Sequence, residues 1–155
     1  VASIGPPAVF VSSRRRLRPN AIKETPHVIQ ILLTAHSINR WLVIAVAVVG
    51  IVQAAIHLRG DGATRGLGKI LATVFLALLD LQLLMGIGLF ALKPGVHRVA
   101  GAHALLMLVA IIAAHLFKIS TKKAEPQRAG RLALSIYVVP LALILLGLTA
   151  VPIPH

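Results

Sequence analysis

The chain has 155 residues, 57% of them hydrophobic and 13% charged, with a mean hydropathy of +0.89. Ordinary soluble domains carry about 25% charged residues, so a water-soluble enzyme is excluded for want of polar surface. Lys and Arg outnumber Asp and Glu by 16 to 4, but the basic residues flank apolar runs, where they meet anionic lipid headgroups, and no basic patch interleaved with aromatics offers a nucleic-acid surface.

Residues 1–25 differ from the rest. They hold Pro6, Pro7, the run Arg14-Arg15-Arg16-Leu17-Arg18 and Pro19, without a sustained period. The short apolar piece Ala8–Val11 precedes the charges, the reverse of a signal peptide. This segment is expected to be a basic, largely irregular tail. Four apolar segments follow, with spans expected at about 28–57, 67–92, 101–117 and 132–151. Thr25 is placed to cap the first helix, with Pro26 at its first helical position. The connections are Gly60-Asp61-Gly62, Pro94-Gly95 and the basic stretch Lys118–Arg131. Segments of about 20 apolar residues cross a bilayer, and open sheet edges do not survive in lipid. The expected fold is therefore all-α, an integral membrane four-helix bundle occupying residues 26–155. Lys and Arg divide evenly between the two sides, so the positive-inside rule gives no orientation.

Ionisable groups within a membrane are costly and point to function. With no cysteine in the chain, thiolate metal sites, iron–sulfur ligation and covalent c-type haem are excluded, and any metal or haem must use histidine. Four passes put His36 (helix one) and His103 (helix three) near the N-terminal side, here side A, and His57 and His115 near the opposite side, B. Each pair offers axial ligands for a b-type haem between helices one and three. Side A is the better site. Arg40 stands one turn from His36 and Arg98 precedes His103, both suited to haem propionates, while Gly86 lets a flat macrocycle approach the backbone. His57 and His115, the alternative ligands, border basic boundaries. His103 and His115 are twelve residues apart, about 120° around a helix, so one haem fits better than two. Asp80, in the middle of helix two, lies about as deep as Arg40 and is expected to form an intramembrane ion pair with it. A proton- or quinone-binding role for Asp80 with Gln82 is the functional alternative.

The segment Leu33-Thr34-Ala35-His36-Ser37-Ile38-Asn39-Arg40-Trp41 resembles a family of small bacterial four-helix membrane proteins that open with a His-Ser, two residues, Arg-aromatic signature. Asp80-Leu81-Gln82-Leu83-Leu84-Met85-Gly86, Arg98 before His103, and Val151-Pro152-Ile153-Pro154 extend the likeness over about residues 30–155. Its members are often labelled cytochrome-b-like. The matching positions are His36, Arg40, Gln82, Gly86, Arg98 and His103; His115 is outside the pattern, and Ala102 stands where an acidic residue can precede the second histidine.

The leading expectation is a haem b-binding electron-transfer subunit in the bacterial cytoplasmic membrane, with quinone as a further cofactor and other membrane subunits of a respiratory or photosynthetic complex as partners. The rival is a non-catalytic accessory subunit without cofactor. A small transporter has support only from Asp80. No nucleophile–base pair, phosphate loop or carboxylate pair suggests a stand-alone enzyme.

Overall fold

Each apolar segment folds as one α-helix in the computed structural model: α1 (Pro19–Leu58), α2 (Arg65–Leu92), α3 (His97–Lys123) and α4 (Pro126–Thr149). The structure describes residues 19–58, 65–92 and 97–149, with side chains for 26–58, 66–92, 100–125 and 128–149. The arginine run of the tail, the Gly60-Asp61-Gly62 and Pro94-Gly95 turns, the side chain of Arg98 and the closing Val151-Pro152-Ile153-Pro154 lie outside the described residues. Among those described there is no strand.

Several helix ends differ from expectation, among them the start of α4, which lies at Pro126 and not near residue 132. The first helix begins at Pro19, not Pro26. Proline is tolerated at the first helical position because its missing N–H would have no partner there anyway. Pro26 then sits inside the helix, so Thr25 is not a cap, and residues 19–25, assigned to the irregular tail, are helical. The third helix continues past Phe117 to Lys123, shortening the expected basic connection to Ala124–Glu125. Lysine is a good helix former, and Lys122 and Lys123 in the last turn complement the helix dipole. The onset of charge marks the membrane boundary here, not the end of the helix. Helix α4 starts at once, with the Ala129 N–H donating to the Glu125 carbonyl at 2.7 Å.

All four helices are long and apolar enough to cross a membrane, over Pro26–Leu58, Gly66–Leu92, Ala100–Lys123 and Arg128–Thr149. Only 17–28% of each apolar window is buried inside the molecule. The rest of the apolar surface faces outward: Ile31, Leu84 and Leu105 are each more than 60% exposed. A surface of this kind is stable against lipid and not against water.

The helices pack in cyclic order, α1 against α2, α2 against α3, α3 against α4 and α4 back against α1. Helices α1 and α3 are therefore diagonal across the bundle, not neighbours. The α3–α4 seam is the most extensive and the α2–α3 seam the slightest. At mid-bundle, Tyr137 of α4 is almost wholly buried between Gly50 of α1 and Phe75 of α2. The Phe75 and Tyr137 rings lie 5.2 Å apart, tilted at 50°. A Cβ at residue 50 would stand 2.7 Å from Tyr137 Cδ1, so glycine is what admits the ring. Val43, Ala47, Ala110, Ala114 and Pro140 complete the axis of the core.

Candidate functional site

The rotation of each helix decides which polar groups meet. On α1, Val43, Ala47, Gly50 and Ala54 are buried, following His36 by 7, 11, 14 and 18 residues. At 100° per residue all lie within about 40° of His36. His36 thus continues the core stripe toward side A and points at the bundle axis. On α3, Met107, Ala110, Ala114 and Phe117 belong to the core and its immediate packing, at 4, 7, 11 and 14 residues beyond His103, again within about 40°. His103 points at the axis from the diagonal helix. His36, His103 and Arg40 are close enough to interact electrostatically. Arg40 reaches back toward the level of His36 because helical side chains lean toward the N-terminus.

The rotation of α1 is held by a polar knot to α2. Asn39, only 4% exposed, donates through Nδ2 to the Leu78 carbonyl at 2.9 Å and to Gln82 Oε1 at 2.7 Å. Gln82 Nε2 donates to the His36 carbonyl at 3.1 Å. Buried amides in an apolar medium must be satisfied in this way.

Each histidine then has a distinct environment. His103 Nδ1 lies 3.0 Å from the Gly147 carbonyl of α4, to which its N–H donates, leaving the Nε2 lone pair free. That is how ligating histidines are commonly oriented. Glycine at 147 leaves room there: a Cβ would stand 2.6 Å from the flexible end of Met107, at Cε, and 3.3 Å from His103 Nδ1. His36 Nδ1 is buried without a hydrogen-bond partner, as is Arg40 Nε; the Arg40 guanidinium lies 5.5 Å from the centre of the Trp41 ring. A Cβ on Gly86 would approach His36 Cε1 to 3.7 Å, so α2 presents bare backbone beside the imidazole.

Asp80 does not pair with Arg40. It bonds His115, with Nε2 to Oδ1 at 3.0 Å, across the α2–α3 seam. Depth suggested the first pairing, but rotation forbids it. Leu78 and Gln82 both face α1, and Asp80, two residues from each, lies about 160° away. This engages His115, one of the alternative haem ligands, in another interaction; His57 also has an interaction of its own. The residues that sequence reasoning missed are Asn39, Gly147 and Tyr137. For Asn39 the signal was present: it is an amide within an apolar span, 43 residues from a second one.

Among the described residues no group of three or more His, Asp or Glu could hold a bare metal ion. Two axis-facing imidazoles suit a prosthetic group that brings the remaining ligands itself. No family model, no curated protein and no solved structure matches the chain.

Proposed function

We propose that the protein is a haem b-binding subunit of the bacterial cytoplasmic membrane that passes single electrons within a larger respiratory or photosynthetic assembly. The observation that carries this reading is the pair of axis-facing histidines on diagonal helices at one end of the bundle. One has its Nδ1 tied to a backbone carbonyl and the other has a buried ring nitrogen with no partner. A buried unpaired nitrogen costs about 1–3 kcal/mol, and a ligand that recruits the ring changes its hydrogen-bonding needs.

The residues fit the group. His36 and His103 would hold the haem iron through their ring nitrogens. The Gly147 carbonyl fixes the tautomer of His103, and Gly86 leaves space beside His36. Arg40, with its unpartnered Nε, and Arg98 would hold the propionates by charge-assisted hydrogen bonds. When bound, haem b supplies a one-electron iron couple; the chain's part is to hold it in an apolar, water-poor bundle and to balance its charge.

The test is a dithionite-reduced-minus-oxidised spectrum with a pyridine haemochrome assay, on protein purified from a host supplied with haem. The expected result is about one haem b per chain, lost in His36→Ala and in His103→Ala and retained in His57→Ala. A folded, haem-free wild-type preparation would sink the proposal, and the two histidines would then be interhelical hydrogen-bonding residues of an accessory subunit.

A further inference from the structure

The α2–α3 seam carries polar residues that the haem reading does not use. Asp80 lies at the middle of the Gly66–Leu92 span, on the side of α2 turned away from Gln82, two residues on and about 160° around the helix. Its carboxylate accepts from His115, yet the two side chains remain 49% and 44% exposed. The pair therefore opens onto the lipid-facing surface of the chain at the depth where water is scarcest.

Toward side B the same faces stay polar. Lys69, Thr73 and Asp80 recur on α2, and His115, Lys118 and Lys122 on α3, at helical spacings that put each trio within about 60° of arc. Lys118 Nζ donates to Thr73 Oγ1 at 3.2 Å across the seam. Between Thr73 and Asp80 the stripe is filled by Ala77, small and exposed. Toward side A the seam turns apolar, with Leu84, Leu108 and Ile112 all exposed. His115 Nδ1 has no hydrogen-bond partner among the described residues.

A ligand for this seam must be lipid-soluble, must carry hydrogen-bonding oxygens on a headgroup that reaches the bilayer centre, and must have an apolar tail. We infer that the Asp80–His115 pair is the headgroup site of an isoprenoid quinone, with the tail lying along Leu84, Leu108 and Ile112. With Nε2–H held by Asp80, a neutral His115 presents the Nδ1 lone pair to a quinol hydroxyl. The protonated ring presents Nδ1–H to a quinone carbonyl. The Thr73–Lys118 pair continues the polar stripe from the site toward the aqueous face at B, the direction in which a proton would be exchanged. Binding rests on the seam alone; only its use in electron transfer rests on the haem reading.

The experiment is photolabelling of the full chain in lipid nanodiscs with an azido-quinone of short tail, competed by unlabelled short-tailed ubiquinone or menaquinone analogues. Affinity for the unlabelled analogues is measured alongside by isothermal titration. Labelling is expected on α2 and α3 near residues 77–84 and 108–116, suppressed by competitor. Asp80→Asn, which keeps the shape, and His115→Leu are each expected to weaken binding about tenfold or more, as for a lost charge-assisted hydrogen bond. Val49→Ala, on an exposed face of α1, leaves it unchanged. Absence of saturable binding, labelling confined to α1 or α4, or full affinity in Asp80→Asn would overturn the inference, as would a second copy of the chain cross-linked over the seam with no quinone bound. Haem content is read separately in the same samples, so a haem-free protein that binds quinone keeps this inference while the haem reading fails.

Discussion

Gly86 and Asn39 show how single positions shape the A end of the bundle. A methyl group at residue 86 would make only ordinary contact with His36 Cε1, at 3.7 Å. Gly86→Ala is therefore expected to keep haem, whereas Gly86→Leu should fill the space beside the imidazole and abolish haem retention without reducing helix content; the haem-to-protein ratio and far-UV circular dichroism check this together. Asn39 holds two of the three hydrogen bonds that fix the rotation of α1 on α2, and its amide orients Gln82 for the third. Interhelical hydrogen bonds in membranes are worth about 0.6 kcal/mol on average, reaching about 1.7. Asn39→Leu should thus cost roughly 2 kcal/mol in a detergent unfolding titration, and it should also lower haem content, because His36 shares the rotation that the knot sets. A loss of stability with haem binding untouched would show that the knot does not position the histidine.

Elements were legible in the sequence to the extent that hydropathy defines them. The four spans, their order and the lack of strands among the described residues follow from apolar length, which lipid reads directly. Helix ends did not follow, because proline is tolerated at the first helical position, the Lys118–Lys123 stretch is compatible with helix, and the membrane boundary and the helix boundary are separate things. The side-A histidine pair was visible from depth, while the partner of Asp80 was not. Arg40 and Asp80 do share a level, but partner choice depends on azimuth, and azimuth is set by the Asn39–Gln82 knot. Packing between elements is similarly specific at mid-bundle, where Gly50 admits Tyr137 against Phe75. Gly50→Leu should destabilise the fold by about 1–3 kcal/mol through overpacking. Adding Tyr137→Ala, which vacates the space, should recover part of that loss, the non-additivity expected of residues in contact. Equal and additive losses would mean that the two do not share the site.

The whole molecule is a narrow bundle whose core is confined to one stripe per helix, with most of its apolar surface turned outward. The two candidate sites differ in place and surroundings. The His36–His103 end lies on the axis between diagonal helices, and the Asp80–His115 pair lies on the most open seam at mid-membrane. On the proposed reading, an electron carrier would sit inside the bundle and a lipid-soluble partner at its edge, two sites that could be disabled independently. His103→Ala is expected to remove haem while leaving quinone affinity unchanged, and Asp80→Asn to do the converse; a variant at either site that abolished both would argue for a single coupled site.

His36 and His103 are proposed as the two histidines that would hold one haem between the diagonal helices. The most direct measurement is low-temperature electron paramagnetic resonance, with near-infrared magnetic circular dichroism, of the oxidised protein and its single histidine variants. A low-spin bis-imidazole signature in the wild type, lost or converted to high spin in His36→Ala and in His103→Ala but unaltered in His115→Leu, is the predicted result. A haem signal that survives either of the first two substitutions unchanged, or that depends on His57 or His115, would contradict the account.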